Sequence, residues 1–217
     1  MIRLSTVPLA VILGLLGARD ARAQHPDDEL TWRRRAIAAM AVQDFDAAVA
    51  AADRAQAIAP DRSAVQLVVG QAYLSHARDR PSLGAIGKVK KGRAAVERAI
   101  ALDANNLEAR MTLLQFLLQA PGIVGGSRDA ARAQAREIAR RNQRQGLLAR
   151  LEVALADAQR SEILDVYHQA LPWIGTASDS GAVLMRAFST ATRRIKPKDL
   201  RERLRRDIQA RGGAPAS

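Results

Sequence analysis

Three histidines, His25, His76 and His168, are the side chains of this 217-residue chain best suited to moving a proton or ligating a metal near neutral pH. Their spacing gives neither chemistry a partner. None stands with another histidine or a carboxylate in a recognised metal-ligand spacing, no HExxH is present, and with no cysteine a thiolate zinc site is impossible. A nucleophile elbow and a Walker loop are both absent. His25 stands near the N-terminus. His76 and His168 follow Tyr73 and Tyr167 near helix ends, where surface histidines are expected. The chain is therefore expected to be non-catalytic, with no metal and no cofactor.

One other stretch has unusual chemistry, Pro121-Gly122-Ile123-Val124-Gly125-Gly126-Ser127. Glycine amides leading into a helix N-terminus can hold an anion. A structural role is the simpler expectation. Ile123 and Val124 would plug the loop onto the core, the glycines would supply special backbone angles, and Ser127 or Asp129 would cap the next helix. Asp129 would also repel an incoming anion. Basic residues cluster at Arg33 to Arg35, at Lys88, Lys90, Lys91 and Arg93, and at Arg140, Arg141 and Arg144. Such runs are usually solvated faces.

The elements that carry these residues are helices. Alanine, leucine, arginine and glutamine abound, and β-branched or aromatic stretches are short and few. The expected fold class is all-α. Arg3, the apolar run Val7 to Leu16 and the small-x-small tripeptide Ala21-Arg22-Ala23 have the layout of a secretory signal peptide. Residues 1–23 are expected to be removed near Ala23, giving a periplasmic or secreted protein. No later stretch is apolar and long enough for a membrane helix, which needs about 20 such residues.

The formal charge is +12. The expected signal holds three arginines against one aspartate, so +10 would remain after cleavage. Such a charge permits weak association with an anionic envelope surface. Export argues against nucleic acid as a partner.

The sequence repeats itself between Trp32 and Asn142. Trp32, Ala36 and Ala39 lie on a first helix, Gln43 to Asp46 read as a turn, and a second helix carries Ala48, Val49, Ala52 and Ala55 before Pro60. Thirty-four residues on, Gly70 and Tyr73 recur at the small and aromatic positions. The second helix of this unit ends in Ala95, Val96, Ala99, Ile100 and Leu102. A third unit starts at Leu107, with Met111, Leu113, Leu114, Leu117 and Leu118, and its second helix spans about Ser127 to Asn142. The step from Gly70 to Leu114 is 44 residues, ten beyond the usual period, which places an insertion near 75–92.

This pattern resembles the tetratricopeptide repeat, in the form found in exported bacterial proteins. Trp32 falls in the first aromatic slot, Ala36 in the glycine slot, Ala48 and Ala55 in the small slots and Pro60 in the proline slot. Ala39 and Ala52 depart from the larger residues usual at their positions. The resemblance implies an array of helical hairpins over 24–142 and, over 143–211, a degenerate hairpin with capping helices. Residues 212–217 form a tail. It also implies a concave groove lined by the first helices, holding a protein or peptide partner. Carried across slot by slot, the groove would present Leu30, Arg33, Arg34, Ile37 and Met40, then Leu67, Val68, Gln71 and Leu74, then Met111, Thr112, Gln115 and Leu118. The expected function is that of a scaffold or adaptor. The alternative is a solute-binding or transport accessory protein with a small ligand in the groove.

Overall fold

A computed structural model describes residues 28–82, 84–174, 179–196 and 198–211. Among them the chain is all-α, with ten helices and no strand. The expected signal segment and the tail 212–217 lie outside the described residues. No described helix is long and apolar enough to cross a membrane.

The helices are α1 (Glu29–Ala41), α2 (Phe45–Ile58), α3 (Ser63–Asp79), α4 (Ala85–Leu102) and α5 (Leu107–Gln119). A 3-10 turn (Gly122–Val124) precedes α6 (Arg128–Arg141), α7 (Gln143–Asp157), α8 (Arg160–Ala170), α9 (Asp179–Thr192) and α10 (Lys198–Ala210). Short polar residues set the starts. Asp28, Asp44, Asn106, Ser127 and Asn142 each accept a hydrogen bond from the backbone N–H three residues on. Each satisfies a donor the helix itself leaves open. The turn expected at 43–46 is tighter than that: Gln43 takes φ 61°, Asp44 caps, and Phe45 already belongs to α2.

The ten residues beyond the usual period form no separate insertion. Helices α3 and α4 have 17 and 18 residues against 13 and 14 for α1 and α2. One extra turn on each, with two more residues in the connection, accounts for all ten. Pro81 and Gly84 fall in that connection, whereas Gly87 and Gly92 lie inside α4.

From α1 to α8, and again from α9 to α10, neighbouring helices pack on one another. The odd-numbered helices also touch in succession, α1 on α3, α3 on α5, α5 on α7 and α7 on α9. Three apolar cores result. The first is built largely of alanine, with Ala36, Ala48, Ala52 and Ala55 fully buried around Val65, Val69 and Tyr73. The second joins Leu67, Val96, Leu113, Leu114, Leu117, Ile138 and Val153. The third gathers Leu151, Ile163, Tyr167, Leu184, Phe188, Leu200, Leu204 and Ile208. Helices α3, α4 and α7 each contribute to two cores, which ties the chain together. Gly70 and Gly92 are where α3 and α4 approach most closely. A methyl group at Gly70 would overlap Val96 Cγ2 and stand 2.9 Å from the Gly92 carbonyl oxygen.

Small side chains in the first core leave polar groups to fix its register. Two rungs cross from α2 through α3 to α4. In one, His76 Nε2 lies 2.8 Å from Asp46 Oδ1 and Lys88 Nζ lies 3.0 Å from His76 Nδ1. In the other, Tyr73 OH donates to Asp53 Oδ2 at 2.7 Å and receives a hydrogen bond from Lys91 Nζ at 2.6 Å. His76 is thus no surface histidine; it is 5 % exposed. Its partners come from helices 30 residues before it and 12 after it.

The ion pairs give stability a pH dependence. Hydrogen bonds from His76, Arg141, Arg150 and Arg160 hold the carboxyls of Asp46, Glu137, Asp165 and Asp199 below the usual carboxylate range. Folded pKa values lie below unfolded ones, so the unfolded chain binds more protons in acid. Their contribution is complete above about pH 5 and is lost as pH falls through the folded values. Melting midpoints followed by circular dichroism should therefore hold steady from pH 7 to 5 and fall below 4. A midpoint unchanged at pH 3 would contradict this.

Candidate binding groove

Two cavities lie along α3. One, of about 420 Å³, is walled by Met40 of α1, by Gln71, Leu74, Ser75 and Arg78 of α3, by Val89 of α4 and by Thr112, Gln115, Phe116 and Gln119 of α5; Pro121 and Val124 close one side. The other, of about 380 Å³, is walled by Arg33, Ile37, Met40 and Ala41, by Ala64, Leu67, Val68 and Gln71, and by Glu108. They share Met40 and Gln71 as wall residues, so they lie side by side along α3 and are described together as the groove.

Helical periodicity explains the lining. On α3 the wall residues are 64, 67, 68, 71, 74, 75, 77 and 78, most of them one stripe at i, i+3, i+4 and i+7. On α5 they are 112, 115, 116 and 119, the same interval. The middle of the groove is polar: Gln71 Nε2 donates to Glu108 Oε1 at 3.1 Å and to Thr112 Oγ1 at 3.4 Å. Apolar wall flanks this bridge on both sides.

Of the residues expected here, Arg33, Ile37, Met40, Leu67, Val68, Gln71, Leu74, Thr112 and Gln115 line the groove. Leu30 and Arg34 line neither cavity. Met111 and Leu118, seven apart on α5, turn instead to the second core. At the α1 end the groove is charged. Arg33 pairs with Glu29 at 3.6 Å, and Arg62 reaches the same carboxylate.

The groove contains residues the repeat pattern did not single out, among them Arg78, Val89, Phe116, Gln119 and Val124. Arg78 and Val89 come from the longer helices α3 and α4 and line the first cavity. The loop 121–126 folds against it. Gly125 takes φ 97°, Gly126 N–H donates to Pro121 O at 3.1 Å, and Ser127 N–H donates to Leu117 O at 3.0 Å. A side chain at Gly126 would collide with the Ala120 carbonyl. Ser127, not Asp129, caps α6. Ile123 does not plug the core; it is 92 % exposed, and only Val124 turns inward.

The basic clusters are largely engaged within the fold. Lys88 and Lys91 belong to the two rungs, and Arg93 pairs with Glu97 and lies over Phe116. Arg35 lies over Trp32, Arg144 over Trp173, and Arg140 and Arg141 pair with Glu137. Among the described residues no group of three His, Asp or Glu is placed to hold a metal ion.

Comparison with family models, curated proteins and solved structures gives no match. The groove's own geometry therefore carries the functional argument.

Proposed function

We propose that the chain is an exported, tetratricopeptide-like interaction module that holds a partner segment along α1, α3 and α5, and that it acts by binding, not by catalysis. One observation carries this reading: two cavities adjoin at Met40 and Gln71 along α3, so that hollow surface extends over α1, α3 and α5. A surface of that form suits an extended or helical peptide with apolar anchors and a polar centre facing Gln71. The fully buried alanines at 36, 48 and 55 and the close approach at Gly70 support the repeat reading. The three-part N-terminal sequence supports export.

Met40 lines both cavities, so it is the position to change. A partner captured from an envelope extract by the wild type should be lost with Met40→Glu, because a carboxylate in an apolar wall costs on the order of 2 kcal/mol or more. A partner list identical for both proteins would remove the groove from the function. A small apolar solute is the second reading, favoured by the closure of the first cavity by Pro121 and Val124. It would stand instead if no partner is captured and a metabolite raises the melting midpoint.

A further inference from the structure

The chain's positive charge is concentrated at one end. Residues 182–211 hold ten arginines or lysines against three acids, a net +7 within a total of +12. The apolar side of α10 is fully used, since Leu200, Leu204 and Ile208 are buried in the third core. Its arginines lie on the remaining surface, and two of them border a cleft.

That cleft, of about 460 Å³, lies between α8 and α10. Arg203 and Arg206, three residues apart on α10, stand on one side and His168 of α8 on the other. Among the described residues Arg203 makes no ion pair, and Arg206 donates only to the Glu202 carbonyl, at 3.4 Å. The one carboxylate in the cleft, Asp207, is already engaged. Tyr167 OH donates to its Oδ2 at 2.6 Å, and Arg211 Nε lies 3.3 Å from its Oδ1. Two guanidiniums without acidic partners thus flank a polar hollow whose own negative charge is compensated.

We propose that this cleft binds a phosphate-bearing anion, with Arg203 and Arg206 as the ligating pair and His168 as a further donor. Guanidinium suits phosphate because its planar fork gives two parallel charge-assisted hydrogen bonds. The site is separate from the groove, being formed by α8 and α10 alone. The same chemistry could be presented by a phospholipid headgroup or by a free phosphate, and the test has an arm for each.

In one arm the full chain is titrated with inorganic phosphate in a calorimeter. In the other it is sedimented with vesicles of phosphatidylglycerol and phosphatidylcholine, against phosphatidylcholine alone. Saturable binding is expected in at least one arm, and the arm that binds names the source. Arg203→Gln/Arg206→Gln should weaken it by about a hundredfold, since each charge-assisted bond lost is worth on the order of tenfold. Arg54→Gln/Arg136→Gln removes the same charge from exposed arginines elsewhere and should leave binding unchanged. If the pair variant fails to fold, Arg203→Gln alone carries the test, with a loss of about tenfold. No binding by the wild type in either arm overturns the proposal. So does binding that survives loss of the arginines, or that falls equally in the control.

Discussion

Gly70→Leu should unfold this protein more readily than any exposed substitution, lowering stability by about 3 kcal/mol. The reason is backbone against backbone. Even a methyl group at position 70 would overlap Val96 Cγ2 and press on the Gly92 carbonyl oxygen at 2.9 Å, and a carbonyl within a helix cannot rotate away. A leucine would force α3 and α4 apart. Both helices supply the first and second cores, so the damage is shared by the two. Gln71, the next residue, and Leu74, one turn on in α3, line the groove and would be displaced with it. For a chain of this size the melting midpoint should drop by roughly 2–4 °C per kcal/mol. Gly70→Ala is the graded control, since the helix preference of alanine returns about 1 kcal/mol. A leucine variant that melts with the wild type would show that the helices do not meet there.

Phe188→Ala should cost about 3–5 kcal/mol, the larger of the two effects. Phe188 is 1 % exposed at the centre of the third core, with its ring 5.3 Å from that of Tyr167 in an edge-on arrangement. Truncation removes the transfer energy of the ring and its aromatic contact and leaves a cavity between α8 and α9. Tyr167 OH would keep its hydrogen bond to Asp207, so the loss belongs to packing. Phe188→Leu should recover much of it. Chemical denaturation of both variants reads the difference directly. Equal stability of wild type and alanine variant would place Phe188 outside the core.

The helices were legible in the sequence because their signals are local. Ser127 to Asn142 and Leu200, Leu204 and Ile208 read correctly from apolar spacing and flanking caps, and the structure places them in α6 and on the buried face of α10. Gly70 was legible for a similar reason, a small residue at a helix crossing. His76 was not, because its burial depends on Asp46 and Lys88, which only the tertiary fold brings to it. Extra length in α3 and α4 looked like an insertion because Pro81, Gly84 and Gly87 are loop signals, yet only the first two lie between the helices. Leu30, Arg34, Met111 and Leu118 came from slot counting and line neither cavity; a helix turns about 100° per residue, so a one-residue offset carries a side chain off the lining stripe. The α5 stripe at 112, 115, 116 and 119 shows that offset.

The central claim is that the surface along α1, α3 and α5 meets a partner. It is tested most directly by placing a photoreactive amino acid at Gln115, which lines the groove, and separately at Arg54, which is exposed on α2. Illumination in the native cell should give a discrete covalent adduct from position 115 and none from 54. That adduct should disappear when Met40→Glu is added. Adducts from position 54 alone, or the same adducts from both positions with Met40→Glu having no effect, would contradict the account.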